Sequence, residues 1–327
     1  MVTNSMIYGG YDLTFIDIDV QPVESDSSLI SEFPPLGSHH TNTNIEFRPG
    51  GNGFNLCRTL ATLGRKITYV GPSSPLFEQI VENNMIPIEI YPIQNVEVNF
   101  TVILNLQKGE VQFNSIQGNL TPEHLNDELI SLYIKSPLKS ISNISLNSTS
   151  IEWICSILLG LIDPKLLTID KKDLTFQNMY SQIKEASFDG IMFIDPSDLS
   201  NFSRLKELGL ILKQIKKFQG EKYLSVNEYE IDSLQKIFNK SPKEIAEYLE
   251  VPIIFHTSDY VKFYGKENIK LQTNKLKQKK TFVGAGDCFN GAFLHSLFNS
   301  SSINDSLKFA INSASHLIET GEYPLDN

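Results

Sequence analysis

The sequence is poor in the residues that staple a fold or grip a polyanion. Its three cysteines, Cys57, Cys155 and Cys288, are odd in number, far apart and set among apolar neighbours. That argues against a disulfide framework and a zinc site and leaves buried thiols. Arginine occurs only at Arg48, Arg58, Arg65 and Arg204, too sparsely for a dense phosphosugar pocket. With 38 acidic against 28 basic residues, the net charge of −10 disfavours a broad grip on nucleic acid or an anionic membrane, and a small-molecule partner fits better. No run approaches the roughly 20 apolar residues of a bilayer span, the longest candidate being residues 153–162. The opening MVTNSMIYGG lacks the charged segment, apolar run and cleavage site of a signal peptide, so a cytoplasmic protein is expected. In that compartment the sequons at Asn99, Asn119, Asn143 and Asn147 carry no glycan. Two phosphate-binding signatures are also missing: GxxxxGK[ST], and GxGxxG directly after the first strand. A P-loop NTPase and a dinucleotide-binding dehydrogenase are accordingly disfavoured.

What is present reads as an alternation of strands and helices. A first apolar run ends at Gly9 and Gly10, and a second covers residues 13–20. Residues 21–44, rich in Pro, Ser and Asn, read as a loop. Val96, Val98, Phe100, Val102, Leu104 and Leu106 alternate, turn at Lys108 and Gly109, and return through Val111 and Phe113, the pattern of a hairpin with one buried face. Short apolar strands at 191–194, 223–226 and 253–256 alternate with helical runs, implying a mostly parallel sheet covered on both sides. The hairpin and the 13–20 strand do not fit that sheet and are expected to form a small lid over its edge. The Lys-rich run 275–280 reads as a solvated edge.

Candidate chemistry concentrates in TFVGAGDCFNGAF near the C-terminus. Phe289, Ala292, Phe293 and Leu297 recur at helical spacing after Asp287, so Gly284 and Gly286 stand at a helix start. Bare backbone there suits a phosphate, because unpaired N–H groups and the helix dipole both favour an anion. An aspartate at such a mouth can accept a proton from an attacking hydroxyl or simply cap the helix, and this stretch alone does not choose. A second constellation, RPGGNGFNLCRTLATLG, places Gly50 and Gly51 at the head of another helix whose core face is Leu56, Leu60 and Leu63 and whose stop is Gly64. Asn52 and Asn55 fall on its first turn, where an amide both donates to and accepts from sugar-like hydroxyls.

Together PGGNGFN and GAGDCFNGAF resemble the ribokinase, or PfkB-type, carbohydrate kinase family, and NEYE at 227–230 is similar to that family's N-x-x-E element. The resemblance spans nearly the whole chain. It implies a single domain over 1–327, α/β and Rossmann-like in three layers with a mostly parallel central sheet, and a β-sheet lid at about 11–47 and 96–116. It implies ATP as donor with Mg²⁺, Asp287 as base, Gly284, Ala285 and Gly286 as the anion hole, and Gly50, Gly51 and Asn55 at the substrate. It also places Asn227, His256 and Asn312 toward the nucleotide and Glu230 toward the metal through water. A lone histidine beside an apolar run, such as His256, is more often a hydrogen-bonded core residue than a ligand. The acidic substrate ligand falls on Asp12, with Asp17 as the alternative. Lids of this family can pair between subunits, so a homodimer through 96–113 and a monomer are both permitted.

The departures lie on the donor side. Thr281, Phe282 and Val283 stand before GAGD where the family commonly has an aspartate and threonines, Asn52 replaces a common lysine, and HTSD at 256–259 lacks a glycine. A catalytically weak sugar- or nucleotide-binding protein on the same scaffold therefore remains beside the kinase. Arg58, three residues beyond Asn55, offers a contact for an acidic substrate, or a solvated helix surface.

Overall fold

The computed structural model describes residues 6–9, 12–23, 29–30, 42–106, 109–115, 118, 120–142, 151, 154–155, 158, 161, 190–197, 199 and 202–325. The apolar run 153–162, most of the expected 21–44 loop, Lys108 and the sequons at Asn119, Asn143 and Asn147 lie outside or only partly within them.

Among the described residues, a nine-stranded sheet forms the middle layer. Its parallel strands are β1 (Met6–Gly9), β4 (Ile67–Pro72), β5 (Ile88–Ile93), β8 (Leu138–Ser142), β9 (Ile191–Asp195), β10 (Glu221–Val226) and β11 (Ile253–His256). The antiparallel β12 (Tyr260–Tyr264) and β13 (Asn268–Gln272) complete one edge, giving the order β13-β12-β11-β10-β9-β8-β1-β4-β5. The period of two explains the continuous apolar runs. In β9, Met192 and Ile194 enter one core while Ile191 and Phe193 enter the other. The first core packs against α3 (Asp127–Lys135), α4 (Leu205–Leu212), α5 (Glu228–Phe238) and α6 (Pro242–Leu249). The second packs against α1 (Asn52–Thr62), α2 (Pro75–Asn83), α7 (Ala285–Phe298) and α8 (Ile303–Thr320). The expected three-layer α/β architecture is therefore present.

A separate four-stranded sheet has the order β3-β2-β6-β7, with β2 at Phe15–Pro22, β3 at Thr43–Gly50, β6 at Asn99–Leu106 and β7 at Gly109–Ser115. It is the expected lid, and β3, which overlaps the span read as loop only at residues 43–44, is a strand that was not marked in the sequence. Its faces are the reverse of an ordinary half-buried sheet. The alternating Phe100, Val102, Leu104 and Leu106 are partly exposed or exposed, and the buried alternates of β6 are Asn99, Thr101, Ile103 and Asn105. Registered neighbours Phe47, Ile18, Val102 and Phe113 continue the outer face, where Phe113 is 52% exposed. The inner face is polar because it closes over a polar cavity. There Asp19 accepts from Arg48 and Asn105.

Candidate active site

The cavity, about 330 Å³, lies between the lid's inner face and the C-terminal ends of the parallel strands. Asp195 ends β9, Asn227 follows β10 and His256 ends β11, so the topology alone gathers them at one rim. The starts of α1 and α7 form the facing wall. Gly51 precedes α1 with φ +99°, and a Cβ there would sit 2.6 Å from the Leu13 carbonyl oxygen, so only glycine lets the chain turn so tightly. Gly284 precedes α7 with φ +76°, and its missing Cβ leaves room for the Tyr323 hydroxyl, which would lie 2.8 Å from it.

Asp287 occupies the first turn of α7, only 9% exposed, and lines the cavity with Gly284 and Gly286. The Ala285 N–H turns back to the Phe282 carbonyl at 3.2 Å, and Ala285 is not among the lining residues. The first intrahelical bond of this turn joins the Cys288 N–H to the Gly284 carbonyl at 2.8 Å, which leaves the Gly286 and Asp287 N–H groups at the helix mouth. Burial, then the neighbouring Asp195 carboxylate, pushes the Asp287 carboxyl well above the usual range, while a hydrogen bond from Asn55 Nδ2 at 3.0 Å works in the opposite direction.

The two acidic candidates separate clearly. Asp12 is buried with one oxygen accepting from Leu13 N (2.7 Å) and the other from Gly53 N (2.9 Å), so it secures the start of α1 and does not line the cavity. Asp17 lines it, beside Thr101, Gln112 and Asn114 from the lid. Burial pushes the Asp17 carboxyl up to about 6, partly opposed by Arg48. Gly50 stands behind it, where any Cβ would fall 2.2 Å from Asp17 Oδ2, so Gly50 makes room for the carboxylate and does not itself line the cavity.

Asn227 and Glu230 both line the cavity and form a capping box on α5. Asn227 Oδ1 accepts from Tyr229 N (2.9 Å) and Glu230 N (3.1 Å), while the Glu230 carboxylate accepts from Asn227 N (2.7 Å) and Nδ2 (2.8 Å). Glu230 is buried, only 3% exposed. Among the described residues no group of three His, Cys, Asp or Glu side chains could cage a metal. The oxygen donors on this rim suit a Mg²⁺ that keeps several of its own waters. His256 lines the cavity beside the Phe289 ring, 5.4 Å away, and burial pulls its imidazole down to about 4. Asn312 lies elsewhere, exposed on α8 and accepting from Asn274 Nδ2 at 3.0 Å.

Asp195 and Ser197 were not singled out from the sequence. Asp195 accepts from Asn290 Nδ2 (2.7 Å) and Ser197 N (3.2 Å), and burial pushes its carboxyl up. Its signal was an acid closing an apolar strand. Asn52 donates to Ser197 Oγ at 2.8 Å, which bridges α1 to the end of β9. Arg58 meets neither expectation: its guanidinium stacks on the Tyr323 ring, 4.2 Å from the centroid, and is absent from the cavity lining. It is partly buried because the segment after α8 folds across it. Phe282 and Val283 line the cavity, and the Phe282 N–H reaches Glu110 of the lid at 3.4 Å.

A layered parallel sheet, a β-sheet lid and two glycine-started helices meeting at the strand ends define a ribokinase-like scaffold. Residues 203–322, which include NEYE and GAGD, match the model of the "pfkB family carbohydrate kinase". Among solved structures, ribokinase from Thermotoga maritima aligns at TM-score 0.65 and 19% identity, over 96% of this chain and 95% of that one. Adenosine kinase from Schistosoma mansoni in complex with 2-fluoroadenosine aligns at TM-score 0.67 and 13% identity, over 98% of each. Arabidopsis thaliana ribokinase complexed with ribose and ATP aligns at 0.64 and 15%, over 98% and 95%. No curated protein matches the chain by sequence. The chain thus has the ribokinase fold and carries the PfkB-type signature in its C-terminal part.

Proposed function

We infer that the protein is an ATP-dependent small-molecule kinase, acting as one domain with a lid, that transfers the γ-phosphoryl group to a hydroxyl of a sugar, nucleoside or related polyol. The observation that carries this reading is Asp287 at the mouth of α7, facing a cavity whose opposite wall is the polar lid. The similar structures named for ribose with ATP and for 2-fluoroadenosine support both halves of the reaction.

In this reading Asp17 and Asn55 hold the acceptor against Gly51, with Gly50 supporting Asp17 from behind. The Asp287 carboxylate takes the acceptor's hydroxyl proton as that oxygen bonds to the γ-phosphorus and the bond to the ADP oxygen breaks. Amides of the 284–286 turn, Gly286 foremost, donate to the charge gathering on the transferred group. Asn227 and His256 border the donor phosphates. Glu230 would help to hold a hydrated Mg²⁺, which when bound would neutralise phosphate charge. A raised proton affinity suits a base that must take a proton from an alcohol, provided that it is ionised when the acceptor arrives.

The apolar outer face of the lid gives a second copy of the chain a place to pair. Phe282 and Val283, lining the cavity where side-chain donors would serve the phosphates, favour the other reading, a weakly active binding protein. Turnover of a panel of alcohols with ATP and Mg²⁺, repeated with Asp287→Asn, separates the two. A kinase loses about 10²–10⁴-fold in kcat while remaining folded. Tight ligand binding with no turnover in either form supports the binder.

A further inference from the structure

The segment after α8 returns to the site, and its contacts converge on one side chain. The Tyr323 hydroxyl donates to Asn55 Oδ1 at 3.1 Å, and Asn55 Nδ2 donates to Asp287 Oδ2 at 3.0 Å. An asparagine amide has two orientations that differ by exchanging its oxygen and nitrogen. With the tyrosine hydroxyl donating on one side and the aspartate accepting on the other, only one orientation satisfies both neighbours. The alternative sets the amide oxygen against an ionised carboxylate. Tyr323 is itself held, because the Arg58 guanidinium lies over its ring and the absent Cβ of Gly284 gives its hydroxyl room. The C-terminal segment is anchored where Lys280 N donates to the Ile318 carbonyl at 2.8 Å, and Gly321, at φ +76°, closes α8.

We propose that Tyr323 is a positioning residue for the phosphoryl transfer inferred above: through Asn55 it keeps an N–H donor aimed at Asp287. It is not itself among the residues that line the cavity and acts through Asn55, which is. This goes beyond the inferred reaction and rests on it only for the kinetic half of its test. Removing the hydroxyl takes away the second anchor of the Asn55 amide, which can then tilt from Asp287 and weaken the donor that favours its ionised form. The other groups facing Asp287 and this relay are Asp195 at the end of β9, Asp12 and Asp17, the adjoining Cys288, Arg58 behind Tyr323, and His256 across from Gly286. None of them replaces that donor.

Tyr323→Phe keeps the ring and its stack with Arg58 while removing only the hydroxyl. The expected result is a folded protein whose melting temperature falls by no more than the loss of one hydrogen bond, a kcat lowered about tenfold, and an acid limb of the kcat profile displaced to higher pH. An unchanged kcat with an unmoved limb overturns the proposal. The second measurement needs no turnover. The Asp287 carboxylate band, isolated as the infrared difference between the protein and Asp287→Asn, is titrated with and without Tyr323→Phe. A midpoint displaced upward by the substitution supports the relay, and an unmoved midpoint overturns it even if no alcohol is phosphorylated. Absence of turnover in the unsubstituted protein refutes the kinase reading alone.

Discussion

Asp17→Asn gives the sharpest test of the cavity's electrostatics. A carboxyl whose folded pKa lies above its unfolded value binds its proton more tightly when folded, so it lowers stability as pH rises between those two values. For Asp17 the window runs from 3.8 to about 6, because burial outweighs the attraction of Arg48. The cost is about 3 kcal/mol at pH 7.5, where both states are ionised, and about 1 kcal/mol at pH 4.5, where the folded form holds its proton. Asparagine has nearly the same shape and no charge to desolvate. Urea unfolding at the two pH values should therefore show the variant gaining about 2 kcal/mol more, relative to the unsubstituted protein, at pH 7.5 than at pH 4.5. Comparing variant with parent at each pH removes the contribution of every other titrating group. If Asp17 holds the acceptor as proposed, the same substitution should also raise the acceptor KM. A variant-minus-parent difference that is equal at both pH values refutes the argument.

Gly284→Ala should cost about 1–2 kcal/mol for its left-handed backbone alone and displace the Tyr323 hydroxyl, so kcat should fall further than stability explains. Retention of both full stability and full kcat would show that the turn tolerates a side chain. Phe113→Lys, on the outer lid face, should convert a dimer to a monomer by sedimentation while leaving the cavity intact. A protein that sediments as a monomer before substitution removes the lid-pairing idea. Asp287→Asn should preserve the fold and raise stability near neutral pH while lowering kcat about 10²–10⁴-fold, because it removes a buried ionisable group that the proposed reaction uses as its base.

The central sheet was legible because its strands are buried on both faces: IMFI at 191–194 and IIFH at 253–256 are continuous apolar runs, and no other element explains such short ones. Strand β3 was missed for the opposite reason. TNIEFRPG alternates correctly, but Ile45 and Phe47 point outward and Arg48 lies on the polar side, so the apolar residues mark the wrong face. The choice between Asp12 and Asp17 could not be made from distance along the chain. It depends on which carboxylate the start of α1 engages, and that contact joins residues 41 apart. The Tyr323–Asn55 pair, 268 residues apart, had no local signature at all. GAGD was the converse case. Its glycines carried the helix start in the sequence itself, and the fold had only to bring the lid opposite.

The inverted lid bears on how the reaction is isolated. In the proposed reaction, covering Asp17 and Asp287 would keep water from the donor, but the same burial raises both carboxyls and so opposes an ionised base at Asp287. A donor hydrogen bond that favours ionisation is worth most in such a setting, because low local dielectric strengthens it. Asn55 supplies that bond to Asp287, and Glu110 carries the lid's own contact to the loop beside it through the Phe282 N–H. Closure and base orientation therefore meet within one short stretch, 282–287. A substitution that loosens the lid at Glu110, such as Glu110→Ala, should let water compete for Asp287. It should then raise ATP hydrolysis in the absence of acceptor relative to acceptor phosphorylation. A hydrolysis-to-transfer ratio that stays constant in Glu110→Ala would mean that the lid excludes water without this contact.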